Sequence, residues 1–130
     1  MIKGGPDKSE APDAGRGRKA TTSGPWIGVD LDGTLAVWDA RSTIARIGRP
    51  VPRMLELVKQ MVGDGMRVKI FTARAEEPEQ IPLIQKWLRR NGLPELEITN
   101  VKDYEMQRLY DDRAVQVEQN TGRIIGSLHR

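Results

Sequence analysis

Four short polar clusters hold the side chains best suited to chemistry in this 130-residue chain: Asp30-Leu31-Asp32-Gly33-Thr34, Thr72-Ala73-Arg74, Asn100-Val101-Lys102 and Asp111-Asp112-Arg113. Four aspartates repel one another if a fold gathers them, and the usual remedy is a cation. Cysteine is absent and His129 is the single histidine, so thiolate and histidine-based metal centres are excluded. Any metal must sit on oxygen. Carboxylates and backbone carbonyls suit a hard divalent ion, and Mg²⁺ typically takes one or two carboxylates and keeps water for a phosphate to displace. A calcium loop of the EF-hand type needs glycine at its sixth position, whereas Gly33 is fourth counted from Asp30 and Thr34 fifth.

A carboxylate held on Mg²⁺ at a strand end can attack phosphorus and form an aspartyl-phosphate, provided other groups neutralise the transferring oxygens. Thr72 and Lys102 are the right types for that, a neutral donor and a fixed positive charge. A second carboxyl across the turn can protonate the leaving oxygen and then activate water, and Asp32 stands two residues from Asp30. Gly33 lets the chain turn tightly, and Thr34 can hydrogen-bond the local backbone.

The elements that must position these clusters follow from apolar patterning. Trp26 to Asp30 is a short apolar run after Gly24-Pro25 and predicts a buried strand. Leu35 to Pro50 has no clean period and predicts a mobile excursion or a small hairpin. Pro52 opens a helix with Met54, Leu57, Val58 and Met61 on one face, stopped at Gly63-Asp64-Gly65. Arg67 to Phe71 predicts a second strand, and Pro78 to Arg90 a second helix with Ile81, Ile84 and Leu88 on one face, ended by Asn91-Gly92. Leu96 to Thr99 predicts a third strand, Asp103 to Gln107 one or two helical turns, and Arg108 to Asp111 a fourth strand. Ala114 to Glu118 and Arg123 to Gly126 predict a terminal β-hairpin. Alternating strands and helices imply an α/β fold with a parallel sheet, and in such sheets ligands bind at the carboxyl ends of the strands. All four polar clusters fall at that edge.

Asp30-Leu31-Asp32-Gly33-Thr34-Leu35 resembles the signature of the haloacid dehalogenase (HAD) superfamily, and Thr72, Lys102 and Asp111-Asp112 resemble its second, third and fourth motifs in order and spacing. The likeness covers residues 26 to 113. It implies a three-layer Rossmann-like fold with helices on both faces of the sheet. It also implies an Mg²⁺-dependent phosphatase working through an aspartyl-phosphate. By that resemblance Asp30 is the nucleophile, Asp32 the acid and base, and Thr72 and Lys102 the phosphoryl binders. Gly33, Thr34, Ala73, Arg74 and Arg113 border the substrate phosphate. Asp30, Asp111 and Asp112 hold the metal together with the backbone carbonyl of Asp32. The intervals between motifs are too short for a cap domain, so a capless member is expected. The Thr-Ala-Arg and Asp-Asp-Arg phrases are similar in style to the phosphatase half of phage polynucleotide kinases, which implies a phosphorylated substrate such as a nucleotide or a nucleic-acid end.

Two other classes compete with this reading. A phospho-accepting receiver domain places its acidic pair before the phosphorylated Asp, whereas here the pair comes last. A HAD-like binding module without turnover keeps the same residues for another purpose. Arg113 is expected to pair with the adjacent acids. Trp38 is expected to cover the sheet edge, Trp26 and Trp87 to pack, and His129 to be exposed and idle. Lys86, Arg89 and Arg90 read as a solvated helix face.

The net charge of +3 resides mainly in residues 1 to 25, which carry five basic and three acidic side chains, five glycines and three prolines. That segment reads as a disordered basic tail including Arg16, Arg18 and Lys19, and residues 26 to 130 as one nearly neutral domain. No apolar run is long enough to span a membrane and the first twenty residues cannot form a signal peptide, so a cytoplasmic location is expected.

Overall fold

The computed structural model describes residues 22–126. The tail expected over residues 1–25 lies outside the described residues up to residue 21, and so does His129. Four parallel strands make the central sheet: β1 (Trp26–Val29), β2 (Arg67–Phe71), β3 (Glu97–Thr99) and β4 (Met106–Tyr110). Their spatial order is β3-β2-β1-β4. The chain steps outward from β1 to β3 and then returns to the far side of β1. The order therefore reverses between β1 and β4, which is where open α/β sheets form a crevice at their carboxyl ends.

Helix α1 (Pro52–Gly63) starts with proline at its first position, where the missing N–H costs nothing. Helix α2 (Gln80–Arg90) follows a 3₁₀ turn over Ala73–Glu76. Both helices pack on the same sheet face. Val58 and Met61 of α1 share one apolar cluster with Ile84, Trp87 and Leu88 of α2 and with Ile27, Val29, Val68 and Ile70 of β1 and β2.

The opposite face, built by the alternate residues, is polar and aromatic. Trp26 and Phe71 stack with centroids 6.4 Å apart, and the Lys69 ammonium sits 4.2 Å above the Trp26 ring. Arg67 binds both Glu97 carboxylate oxygens at 2.9 Å. Among the described residues no helix covers this face, so the expected three layers with helices on both sides reduce to a sheet with helices on one side. The connection from β3 to β4 is too short to hold one.

That connection also corrects the helical turns expected over Asp103 to Gln107. The Asp103 carboxylate accepts the Trp26 indole N–H at 2.8 Å and the Glu105 backbone N–H at 2.9 Å, bending the chain into β4. Met106 then pairs with Trp26. Strand pairing has overridden a weak local helical pattern.

Residues 37 to 50 form the hairpin-like alternative. Backbone bonds from Val37 N–H to the Arg49 carbonyl and from Val51 N–H to the Leu35 carbonyl, both 2.8 Å, close its base. The Trp87 indole N–H donates to the Gly48 carbonyl at 2.8 Å and ties the excursion to α2. The carboxyl-terminal hairpin pairs β5 (Gln116–Val117) with β6 (Ile124–Ile125) as a separate two-stranded sheet. No helix of the described residues is long and apolar enough to cross a membrane.

The two glycines of the excursion and of α1 respond differently to a methyl group. A Cβ on Gly48 would collide with the Val37 carbonyl oxygen, whereas one on Gly63 meets open space. Gly48→Ala is expected to cost about 2–3 kcal/mol, and Gly63→Ala to stabilise by about 0.5 kcal/mol. Urea unfolding of the two variants checks the difference, and equal effects would contradict the closure of the excursion.

Candidate active site

The pairing of β1 with β4 builds the site. Val29 is in register with Tyr110, and the Asp30 N–H donates to the Tyr110 carbonyl at 2.9 Å, so Asp30 and Asp111 leave adjacent strands side by side. Carboxylate oxygens of Asp30, Asp111 and Asp112 all lie within 4.8 Å of one another. The Thr34 hydroxyl stands 3.2 Å from Asp30 Oδ2 and 3.1 Å from Asp112 Oδ1, one proton serving two acids, and it accepts the Asp112 N–H at 3.0 Å. The Asp111 carboxylate accepts the Arg113 backbone N–H at 2.7 Å.

Gly33 is required here twice. Its φ of +93° is strained for any residue with a side chain, and a Cβ would stand 2.6 Å from an Asp112 carboxylate oxygen. The turn after β1 therefore closes directly against the end of β4.

Asp30 is half-buried and its carboxyl is pushed up to about 7. Burial is the first cause, followed by the hydrogen-bonding contact with Asp112 and repulsion from Asp111. The Thr34 hydroxyl acts in the opposite direction. The three carboxylates could together offer oxygen ligands to a hard divalent cation.

Asp32 faces a different partner. Arg74 Nε lies 2.7 Å from its Oδ2 and Arg74 Nη2 3.0 Å from its Oδ1, a bidentate pair. Arg74 is only 5% exposed, so this ion pair is largely removed from water. Its remaining Nη1 donates to the Gln80 side-chain oxygen at 2.7 Å and to the Ile44 carbonyl at 3.0 Å, and Gln80 Nε2 also donates to Ile44 at 3.2 Å. One guanidinium thus joins the first turn, the start of α2 and the tip of the excursion.

The expected residues are brought together in part. Asp30, Asp111, Asp112, Gly33 and Thr34 converge. Thr72 is buried at the end of β2, where its hydroxyl accepts the Arg74 N–H at 3.1 Å and caps the 3₁₀ turn; Ala73 is exposed. Arg74, open in the sequence to either a substrate phosphate or a pairing with the acids, pairs with Asp32. Lys102 is exposed and makes no hydrogen bond or ion pair among the described residues. Arg113 was expected to pair with the acids, yet among the described residues its side chain makes no ion pair, and only its backbone N–H meets Asp111. Trp38 is 39% exposed rather than a cover for the sheet edge. Sequence patterning missed Gln80 and the Ile44 carbonyl. Gln80 is the first residue of α2, and a polar residue at a helix start carries little signal by itself.

A scan against protein-family models and searches of curated proteins and of solved structures find no match for this chain.

Two outcomes follow from the geometry. Arg74→Met leaves the Asp32 carboxylate without its bidentate partner and is expected to cost about 2–4 kcal/mol in urea unfolding. A loss under about 0.5 kcal/mol, as for an exposed pair, would contradict the clamp.

The second concerns pH. Folded, cation-free protein takes up the Asp30 proton near 7 rather than at the ordinary 3.8, so between these values it binds more protons than the unfolded chain. Asp30 therefore lowers stability as pH rises through about 7, and the loss is absent below 3.8. In chelator, the melting temperature of Asp30→Asn should exceed that of the wild type by an amount that grows from about pH 5 to about pH 8. A constant difference over that range would count against the shift.

Proposed function

We propose that this protein is a divalent-cation-dependent phosphomonoesterase of the capless HAD kind, with Asp30 as nucleophile. The observation that carries the reading is the convergence of the Asp30, Asp111 and Asp112 carboxylates at the point where the strand order reverses, with Asp32 two residues beyond Asp30. The likeness of the four motifs to the HAD superfamily supports it. Asp30, Asp111 and Asp112 would hold Mg²⁺, and the ion would supply positive charge for the phosphoryl oxygens.

The chain's own groups then act in two steps. An Asp30 carboxylate oxygen bonds to phosphorus as the bond from phosphorus to the ester oxygen breaks, and Asp32 delivers a proton to that leaving oxygen. Water next attacks the aspartyl-phosphate phosphorus, Asp32 takes the water's proton, and the bond from phosphorus to Asp30 breaks. Asp32 exchanges this proton on a lone pair that Arg74 leaves free. The Thr72 hydroxyl, held by its backbone contact, and Lys102, once drawn in by the phosphate, are the neutral and charged donors for the phosphoryl group. We assign the substrate to phosphate esters of nucleotides or of nucleic-acid ends.

A second reading, a binding module of the same fold without turnover, is favoured by one observation: Lys102 is exposed and without a partner among the described residues. Turnover of a small aryl phosphate separates the two. The esterase reading expects hydrolysis that requires Mg²⁺, stops in excess chelator and is not restored by Ca²⁺, whose larger and looser coordination misplaces the reacting groups. Asp30→Asn is expected to lower the rate by about 10³-fold or more. Retention of more than a few per cent of the wild-type rate, or full activity in chelator, would sink the mechanism.

A further inference from the structure

Two cavities share residues 46–49 of the excursion, the first lined by the excursion alone and the second also by α2. The first, about 420 Å³, is bordered by Arg41, and the second, about 380 Å³, by Lys86 and Arg90; Arg46 and Arg49 line both. Arg46 and Arg49 are thus common to both cavities, and the grooved surface around them carries Arg41 in the first and Lys86 and Arg90 in the second. All five are exposed, and among the described residues none of their side chains makes a hydrogen bond or an ion pair. Asp39 is the single acid along the lining.

The groove is a built feature. Gly48 forms part of both walls, leaves no room for a Cβ beside Val37 and is held by the Trp87 indole. The linings also include apolar side chains: Ile47 in both cavities, and exposed Leu83 with the edge of buried Trp87 in the second. Unpaired cations distributed over two cavities suit a ligand with several separated negative charges, because a lone phosphate within one cavity would leave the cations of the other unmet. Apolar surface beside the charges suits bases and sugars, which a bare polyphosphate lacks. Each cavity has the volume of a small-ligand site, too small for a duplex.

We propose that this groove binds a single strand of nucleic acid, its successive phosphodiester groups met by Arg41, Arg46, Arg49, Lys86 and Arg90. The excursion that carries three of these arginines also places its Ile44 carbonyl on Arg74, which holds Asp32. The excursion is thus shared between the groove and the acids; a link from binding to turnover rests on the esterase reading, whereas the binding itself does not. The cations of α2, legible in the sequence only as a solvated helix face, become half of a ligand site.

The test measures anisotropy of a fluorescein-labelled oligothymidylate without a terminal phosphate, with the full chain and no divalent cation. Wild type is expected to bind, and Arg46→Glu with Arg49→Glu, or Lys86→Glu with Arg90→Glu, to weaken binding about tenfold or more near 50 mM salt. The neutral pair Arg46→Gln with Arg49→Gln, as a gentler change, should reduce the slope of log affinity on log salt by about 1.4, or 0.7 for each phosphate no longer neutralised. Melting curves verify that each variant is folded. Absent binding by the wild type, or equal binding by wild type and all folded variants, overturns the proposal; in the second case the affinity belongs to the amino-terminal Arg16, Arg18 and Lys19. Because the oligonucleotide carries no terminal phosphate and no divalent cation is present, this assay reads the groove alone, so a failed esterase assay and a failed groove remain distinguishable.

Discussion

Parallel pairing of β1 with β4 is the contact on which the site depends. It brings carboxylates from two distant stretches of sequence to the same few ångströms, and the sheet's hydrogen bonds hold them there against their repulsion. The cost is local and takes the form of a raised proton affinity at Asp30. Stability comes from elsewhere: Val29, Ile70, Val58, Ile84 and Leu88 are fully buried on the opposite side of the turn from the acids' open edge. Such division of labour, an apolar core that tolerates an uncomfortable polar rim, is the ordinary physical arrangement of a site prepared for an ion or a charged ligand.

Arg74 extends the arrangement. A half-buried carboxylate and a buried guanidinium stabilise each other only if the remaining donors are satisfied, and Gln80 together with the Ile44 carbonyl complete that requirement. The first turn, the second helix and the excursion are consequently set by one hydrogen-bond network rather than by three independent ones. Displacement of the loop tip strains the same guanidinium that orients Asp32.

Much of the fold was legible because buried parallel strands are continuous apolar runs and because Pro52 and Gly63 punctuate a helix unambiguously. Residues 26–29 read as a strand and residues 52–63 as a helix for those reasons, residues 67–71 read as a strand from alternation, and the placement of Asp30, Asp111 and Asp112 at one edge followed from each cluster succeeding a strand of a parallel sheet. The beginning of β4 was not legible, since Met106 and Gln107 have no alternating pattern and become a strand only against Trp26. Nor was the partner of Arg74: an arginine after a strand reaches a phosphate or a neighbouring acid equally well, and its other acceptor, the Ile44 carbonyl, is a backbone group that any residue type supplies. The face without helices did leave a trace, the alternation of Arg67 and Lys69 with Val68 and Ile70, but the short apolar run of Trp26 to Val29 reads as a strand covered on both sides.

The closed base of the excursion separates its geometry from its contents. Bridges at Ala36 with Pro50, and the two backbone bonds beside them, fix where the loop leaves and rejoins the sheet, whatever lies between. Lengthening a loop whose ends are already fixed costs little, about 0.6 kcal/mol for a doubling. Exposed side chains of the tip from Asp39 to Arg46 can therefore change without reopening the base, whereas an insertion that moves the Ile44 carbonyl disturbs Arg74 and through it Asp32. The base thus lets the surface beside Asp32 be remodelled side chain by side chain while the strands that carry the acids keep their register.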